Sequence, residues 1–326
     1  MGQQLYAEEE VFRDAINQCD QEIRRHLGWS LREEFTRSLK DYQLHSRIEL
    51  VQPAVTSLQI GLNAVFRHRG IEPAAVAGLS MGEVAAAHEA GVLNLSDAMR
   101  VVCNHTKMMN EQRKLRPSNM AFAYLDIRQL QNFLVLHDPE NAISIAVEMS
   151  PTITVIAGEN EALGRFLAFL KEQGVQCGIV DIGFAFHSLE MSKLEPDFFA
   201  SLQGLHPIPE NVPIYSSVSG KRMKGADFDA SYLWQMYTKP ALFITQIRSL
   251  LMEGFQTFVE FSPHPMLTNS ILEIARSAGK KVVVLPTMSH ENEQSVVKLT
   301  MHALETAKNQ RQRDTAGPNS GRGVQV

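Results

Sequence analysis

No stretch of this chain constrains its fold more than Gly78-Leu79-Ser80-Met81-Gly82 and the residues on either side of it. The apolar run from Ala74 to Ala77 reads as the end of a buried strand, and Glu83 to Glu89 are strong helix formers. Strand, sharp turn and helix are the context in which Gly-x-Ser-x-Gly predicts an exposed nucleophile rather than an ordinary turn serine. Glycine is expected at 78 and 82 because a side chain there would collide with strand or helix, with Ser80 strained at the tip. The amides that open the helix would aim their N–H groups and positive dipole end at an adduct of that serine. This geometry suits chemistry that develops an oxyanion.

Composition acts mainly by exclusion. A chain of 326 residues, 44% hydrophobic and 21% charged, can bury a large core as one domain with an insertion or as two domains. A net charge of -5 gives no basic footprint for nucleic acid and no polybasic membrane patch. Cys19, Cys103 and Cys177 lie too far apart for a disulfide framework or a metal cluster, which fits a reducing cytoplasm. No run approaches the ~20 apolar residues of a membrane span. His45, His68, His88 and His105 lack ligand spacing, so no metal is expected, and His264 in Ser262-Pro263-His264-Pro265 reads as structural.

Along the chain, Glu8 to Leu39 reads as amphipathic helix, and Glu49 to Arg69 as a long helix with Pro53 in its first turn. After the elbow, Ser96 is the expected N-cap of a helix running through Met109. From residue 119 the pattern changes to strand Met120–Asp126, helix Arg128–Leu136, strands Ala142–Val147 and Thr152–Ala157, helix Glu161–Gln173 and strand Val175–Ile182. That βαββαβ order predicts a ferredoxin-like small subdomain over 119–183, inserted into a large α/β subdomain made of 1–118 and 184–308. Strand–helix alternation in the large part implies a mostly parallel sheet. The polar stretch 309–326 reads as a disordered tail.

A nucleophilic serine needs a base, to be found among eleven histidines. His187 in Gly183-Phe184-Ala185-Phe186-His187-Ser188 stands where the chain re-enters the large subdomain. On this passage alone it could equally be a core histidine with its nitrogens satisfied.

Three segments in order, Gly78-Leu-Ser-Met-Gly-Glu-Val-Ala-Ala-Ala-His88, Phe184-Ala-Phe-His-Ser188 and Phe258-Val-Glu-Phe-Ser-Pro-His-Pro265, carry a wider resemblance. With Val212-Pro-Ile-Tyr-Ser-Ser217 and Lys239-Pro240, they make the chain similar to the malonyl-CoA:ACP transacylase superfamily, above all the acyltransferase domains of modular polyketide synthases. The resemblance runs from Met1 to about Ala307 and implies an α/β-hydrolase-like large subdomain with a ferredoxin-like insertion. It also implies a ping-pong Ser–His dyad: Ser80 as nucleophile, His187 as base, and the Met81 backbone N–H in the oxyanion hole. The histidine-orienting backbone carbonyl would be that of Met236, four residues before Pro240. Acyl-CoA is the implied donor, with no bound cofactor. The implied acceptor is the phosphopantetheine thiol of an acyl carrier protein, alongside other polyketide synthase domains.

Two departures from the family pattern matter. Relatives that load malonyl units use an arginine on the helix after the elbow, where this chain has His105. A histidine offers no bidentate fork and is largely neutral, so the expected acyl unit carries no free carboxylate, unless Lys107 or Arg100 supplies the charge. Leu79, His105, Phe184 and Phe186 are the expected substrate-pocket residues, and Phe184 stands where malonyl-loading relatives typically carry His and methylmalonyl-loading ones Tyr. The second departure is that the family's first strand and Gly-Gln-Gly-x-Gln loop would precede Met1. The expectation is an upstream start or a fragment, and neither Gln3 nor Gln4 takes the oxyanion role. A thioester hydrolase of the same family and a catalytically impaired scaffold remain open alternatives.

Overall fold

The structure is a computed structural model that describes residues 2–37, 48–115, 117–138, 140–180, 182–289, 293–314 and 322–325. Four helices open the chain: α1 (Gln3–Glu8), α2 (Glu10–Leu27), α3 (Leu31–Thr36) and α4 (Ile48–His68). Phe12, Ile16, Cys19 and Ile23 recur at helical spacing on α2 and are buried in one cluster with Leu58, Leu62 and Phe66 of α4. Pro53 falls beyond the first turn of α4, since Ile48 is already helical. Then come β1 (Val76–Ala77), α5 (Gly82–Glu89) and α6 (Leu95–Leu115). Asn94, not Ser96, caps α6: its side-chain oxygen accepts from Asp97 N at 2.8 Å and its carbonyl from Ala98 N at 3.0 Å.

The small subdomain follows as β2 (Ser118–Ala123), α7 (Ile127–His137), β3 (Ile143–Ser150), β4 (Ile153–Glu159), α8 (Asn160–Glu172) and β5 (Cys177–Val180). Its strands pair antiparallel in the order β3-β4-β2-β5, the ferredoxin-like arrangement. Two side chains at its entry fasten its exit: Asn119 Oδ1 accepts from Gly183 N at 2.7 Å and Ser118 Oγ from Ala185 N at 3.1 Å.

The large subdomain resumes with a 3-10 turn (Leu189–Leu194), α9 (Glu195–Ser201), β6 (Ile214–Tyr215), β7 (Arg222–Met223), α10 (Ala230–Thr238) and α11 (Phe243–Met252). It ends with β8 (Phe255–Glu260), α12 (Thr268–Ser277), β9 (Val283–Pro286), α13 (Glu293–Asp314) and β10 (Arg322–Gln325). Its sheet runs β7-β6-β1-β10-β8-β9 and is parallel except for β7. The reading of 309–326 as a disordered tail is corrected at both ends of that range. Helix α13 extends to Asp314, and 322–325 form a strand between β1 and β8 in the middle of the sheet. Composition alone misses this because a strand there satisfies backbone groups of β1 and β8 that would otherwise lack partners, whatever its own hydrophobicity. Residues 315–321 lie outside the described residues, as does His45.

Candidate active site

The elbow is built from backbone upward. A Cβ on Gly78 would lie 2.2 Å from Glu83 N and 2.2 Å from the Gly82 carbonyl carbon, so only glycine fits where strand and helix meet. Gly82 departs from expectation: nothing lies within 4 Å of a Cβ built there. Ser80 has φ 53, a left-handed conformation unusual for a residue with a side chain. Three tight bonds, Gly82 N to Leu79 O (3.0 Å), Glu83 N to Ser80 O (2.9 Å) and Val84 N to Met81 O (3.1 Å), wind the turn into α5. The Met81 N–H donates to no acceptor among the described residues. Leu79 is half-buried and packs on the main core.

Ser80 Oγ lies 2.9 Å from His187 Nε2 across this turn. His187 is also left-handed, with φ 56. Its backbone N–H donates to Tyr237 O at 3.0 Å, and Nδ1 lies 2.8 Å from Lys239 O. An Nδ1–H donating to that carbonyl leaves Nε2 as the acceptor facing the serine hydroxyl. The orienting carbonyl is therefore that of Lys239 and not Met236. Met236 sits inside α10, where carbonyls run along the helix axis. Lys239 follows the helix in an extended conformation (φ -91, ψ 154), as residues before proline prefer, and its carbonyl turns out of the helix toward the imidazole. Burial pushes the His187 pKa down to about 4, against the opposing pull of the Lys239 carbonyl, so the ring is unprotonated at neutral pH and free to accept a proton.

Phe184 and Phe186 are buried with their rings edge to face, 5.1 Å between centroids. His105 lies beside them on α6, 3% exposed, stacked on Tyr237 at 4.1 Å and 5.2 Å from the Phe186 ring. Neither of its nitrogens has a hydrogen-bond partner among the described residues. Burial and the neighbouring His187 hold its pKa down at about 3, so it is uncharged. Neither candidate cation replaces it: Arg100 bonds Asp97 at 3.0 Å and the Gln203 carbonyl at 3.0 Å, and Lys107 is exposed. Both lie well round α6 from His105, by roughly 140° and 160° at about 100° per residue.

A cavity of about 540 Å³ opens onto His187 between the two subdomains. Leu134, Val135 and Ile145 of the small subdomain line one side, Thr238 and Pro240 the other. Strand β3 is sewn to that second wall, since Ala241 N donates to Ala146 O (2.8 Å) and Glu148 N to Ala241 O (3.0 Å).

Sequence reasoning missed two buried polar side chains that hold the site. Gln246 Nε2 donates to Gly78 O (3.1 Å) and Tyr215 O (2.8 Å), bracing the elbow from α11. Glu83, read only as a helix former, is fully buried and accepts from Ser217 N at 2.9 Å, from Ser217 Oγ and from Tyr232 Oη. These partners are 134 and 149 residues away, so no local spacing could reveal them. His264 lies in a loop organised by Glu260, whose carboxylate accepts from Met266 N, Leu267 N and Thr268 N at the start of α12. Among the described residues no three His, Cys, Asp or Glu side chains cluster as metal ligands, and no helix is long and apolar enough to cross a membrane.

A serine on an elbow facing a neutral, carbonyl-oriented histidine is an arrangement for acyl transfer through a covalent intermediate. The sequence profile described as "Acyl transferase domain" matches residues 1–315. The chain belongs to the acyl transferase domain family. This acyltransferase is 34% identical over 288 residues to the spectinabilin polyketide synthase system protein NorC of Streptomyces orinoci, covering 88% of this chain and 12% of that protein. It is 31% identical to the erythronolide synthase EryA2 of Saccharopolyspora erythraea, covering 89% of this chain and 8% of that one. The acyltransferase thus spans about a tenth of the length of these relatives. A loading acyltransferase from the avermectin modular polyketide synthase has the same fold, with a TM-score of 0.87 and 29% identity over 94% of this chain and 95% of that one. The acyltransferase domain of the polyketide synthase PpsC of Mycobacterium tuberculosis gives 0.81 and 29% over 90% and 88%. The α/β-hydrolase-like core with a ferredoxin-like insertion is common to these folds.

Proposed function

We propose that this acyltransferase moves an acyl unit without a free carboxylate from a CoA or carrier thioester to the phosphopantetheine thiol of an acyl carrier protein. It would work in the cytoplasm, beside other polyketide synthase domains and with no resident cofactor. The observation that carries the reading is the 2.9 Å approach of Ser80 Oγ to a neutral His187 whose other nitrogen faces the Lys239 carbonyl. In the first half-reaction His187 Nε2 takes the Ser80 hydroxyl proton as the oxygen attacks the thioester carbonyl, forming a C–O bond. The Met81 N–H donates to the resulting oxyanion. Collapse breaks the C–S bond, and the departing sulfur receives the proton from His187. In the second half-reaction the carrier thiol gives its proton to His187, attacks the Ser80 ester and leaves as the acyl thioester, returning the proton to Ser80.

The acyl class rests on His105. A malonyl carboxylate brought beside an uncharged imidazole, between Phe186 and Tyr237, would lose its hydration with no cation in return, a cost of about several kcal/mol. The apolar Phe184 and Phe186 agree with an uncharged acyl group. The test is acyl-enzyme formation on Ser80, read by mass spectrometry, with acetyl-, butyryl- and malonyl-CoA. Acetyl or butyryl should load in preference to malonyl, and His105→Arg should gain malonyl loading. Malonyl preferred by the unaltered protein would overturn the acyl class. Addition of holo carrier protein should then discharge the ester to the carrier; release as free acid would instead mark a hydrolase.

A further inference from the structure

Glu83 has no evident reason to be a carboxylate if its task is only to fill space. It is fully buried, and among the described residues no Lys, Arg or His forms an ion pair with it. The titratable groups facing it are the hydroxyls of Tyr232 and Tyr237 on α10, both held protonated by burial and by the carboxyl itself. Burying such a group is costly, and three donors from Ser217 and Tyr232 offset that cost. Tyr232 Oη lies a further 2.7 Å from Ser216 Oγ, so the carboxyl joins one continuous buried network.

What the network connects is informative. Glu83 is in the first turn of α5, three residues beyond Ser80, and its backbone N–H bonds to the Ser80 carbonyl. One arm runs through Tyr232, in the first turn of α10, to the far end of that helix. There the Tyr237 and Lys239 carbonyls hold the His187 N–H and Nδ1. The other arm runs through Ser217, whose carbonyl accepts from Leu242 N at 2.7 Å. Both arms close on the segment 239–242, one from each end. We propose that Glu83 is the positioning residue that sets the Ser80–His187 separation by clamping the elbow to the segment that carries the histidine's acceptor. This rests on Ser80 and His187 being the acylating pair. A carboxylate suits the clamp because it accepts from two distant elements at once with fixed geometry, which an apolar side chain of equal volume cannot do.

The ionised form is the one that three donors hold, yet burial raises the pKa to about 7. Protonation replaces an acceptor by a donor and slackens the clamp, so the acylation rate should rise modestly as pH passes upward through about 7.

The test is single-turnover acylation of Ser80 by acetyl-CoA against pH for the unaltered protein, Glu83→Gln and Tyr232→Phe, with thermal unfolding of each. Both variants should lower the acylation rate constant by about tenfold with little change in KM, since a misplaced dyad slows chemistry more than binding. Glu83→Gln should also abolish the step near pH 7, and the double variant should be little worse than either single one. If Glu83→Gln does not fold, Tyr232→Phe decides by rate alone. An unaltered rate in either folded variant, or a step near pH 7 that survives Glu83→Gln, would overturn the inference while leaving the dyad intact. Absence of any Ser80 ester in the unaltered protein would instead sink the dyad.

Discussion

Ser80 and His187 share a left-handed backbone, φ 53 and φ 56, and reach it by opposite routes. The serine is held by what lies within a few residues of it: a glycine that no side chain could replace, three tight turn bonds and the opening of α5. The histidine is held from afar, by the carbonyls of Tyr237 and Lys239 some fifty residues later and by aromatic neighbours from several elements. A serine on an elbow is thus a local device, whereas the histidine it faces is a product of the finished tertiary structure. Local perturbation should therefore act on folding when it strikes the serine side and on chemistry when it strikes the histidine side.

The largest effect expected is on the two groups themselves. Ser80→Ala should abolish the acyl-enzyme outright. His187→Ala should slow its formation by about 10²–10⁴-fold, the usual worth of a general base. Mass spectrometry of the loaded protein checks both. Comparable residual ester in the two variants would break the assignment of nucleophile and base.

The glycines sharpen the contrast on the serine side. A methyl at Gly78 would overlap the backbone of Gly82 and Glu83, which cannot move without unwinding the helix start. Gly78→Ala should therefore destabilise the fold by about 3 kcal/mol or more. Gly82→Ala meets open space at the first position of a helix and should stabilise by about 0.4–1 kcal/mol through the unfolded chain. Denaturant unfolding of the pair decides, and equal losses at the two positions would break the account of the elbow.

The same contrast explains what could be read from sequence. Ser80 is legible because strand, turn and helix formers lie side by side, and the ferredoxin-like insertion because six elements follow one another in order. His187 is legible only through resemblance, since Phe-Ala-Phe-His-Ser would serve a packed core equally well. Lys239 is misread as Met236 because a carbonyl's direction depends on where α10 lets go of the chain, which proline influences but spacing does not reveal. Glu83 is visible in the motif, yet its task is not, because its partners enter from β6 and α10 after folding. Strand β10 is invisible for a related reason: a short polar segment becomes a central strand when its neighbours supply the pairing.

Acid exposes the burial of the histidine side. Unfolded, His187 and His105 bind a proton near 6.5; folded, burial holds them to about 4 and about 3. Between those values the unfolded chain binds more protons, so stability should fall as pH drops from about 6.5 toward 4. Acylation should show its steep loss only below about pH 4, where the base itself becomes charged, apart from the shallow step assigned to Glu83. A steep loss centred near 6.5 would mean a solvated histidine and would contradict the burial.

The smallest effect expected tests how a main-chain acceptor is aimed. Pro240 fixes Lys239 in the extended region and so points its carbonyl at His187 Nδ1 over 2.8 Å. Pro240→Ala leaves every side chain of the dyad in place but lets Lys239 sample helical backbone, in which that carbonyl would turn back along the axis of α10. The imidazole would then spend part of its time in the wrong orientation or tautomer. Acylation should slow by a factor of a few, up to about tenfold for roughly 1.4 kcal/mol of lost orientation, with KM for the acyl donor unchanged. A change in KM alone would place Pro240 in the wall of the cavity it lines and not behind the histidine, and the histidine side would then be less dependent on distant backbone than the serine side is on its own turn.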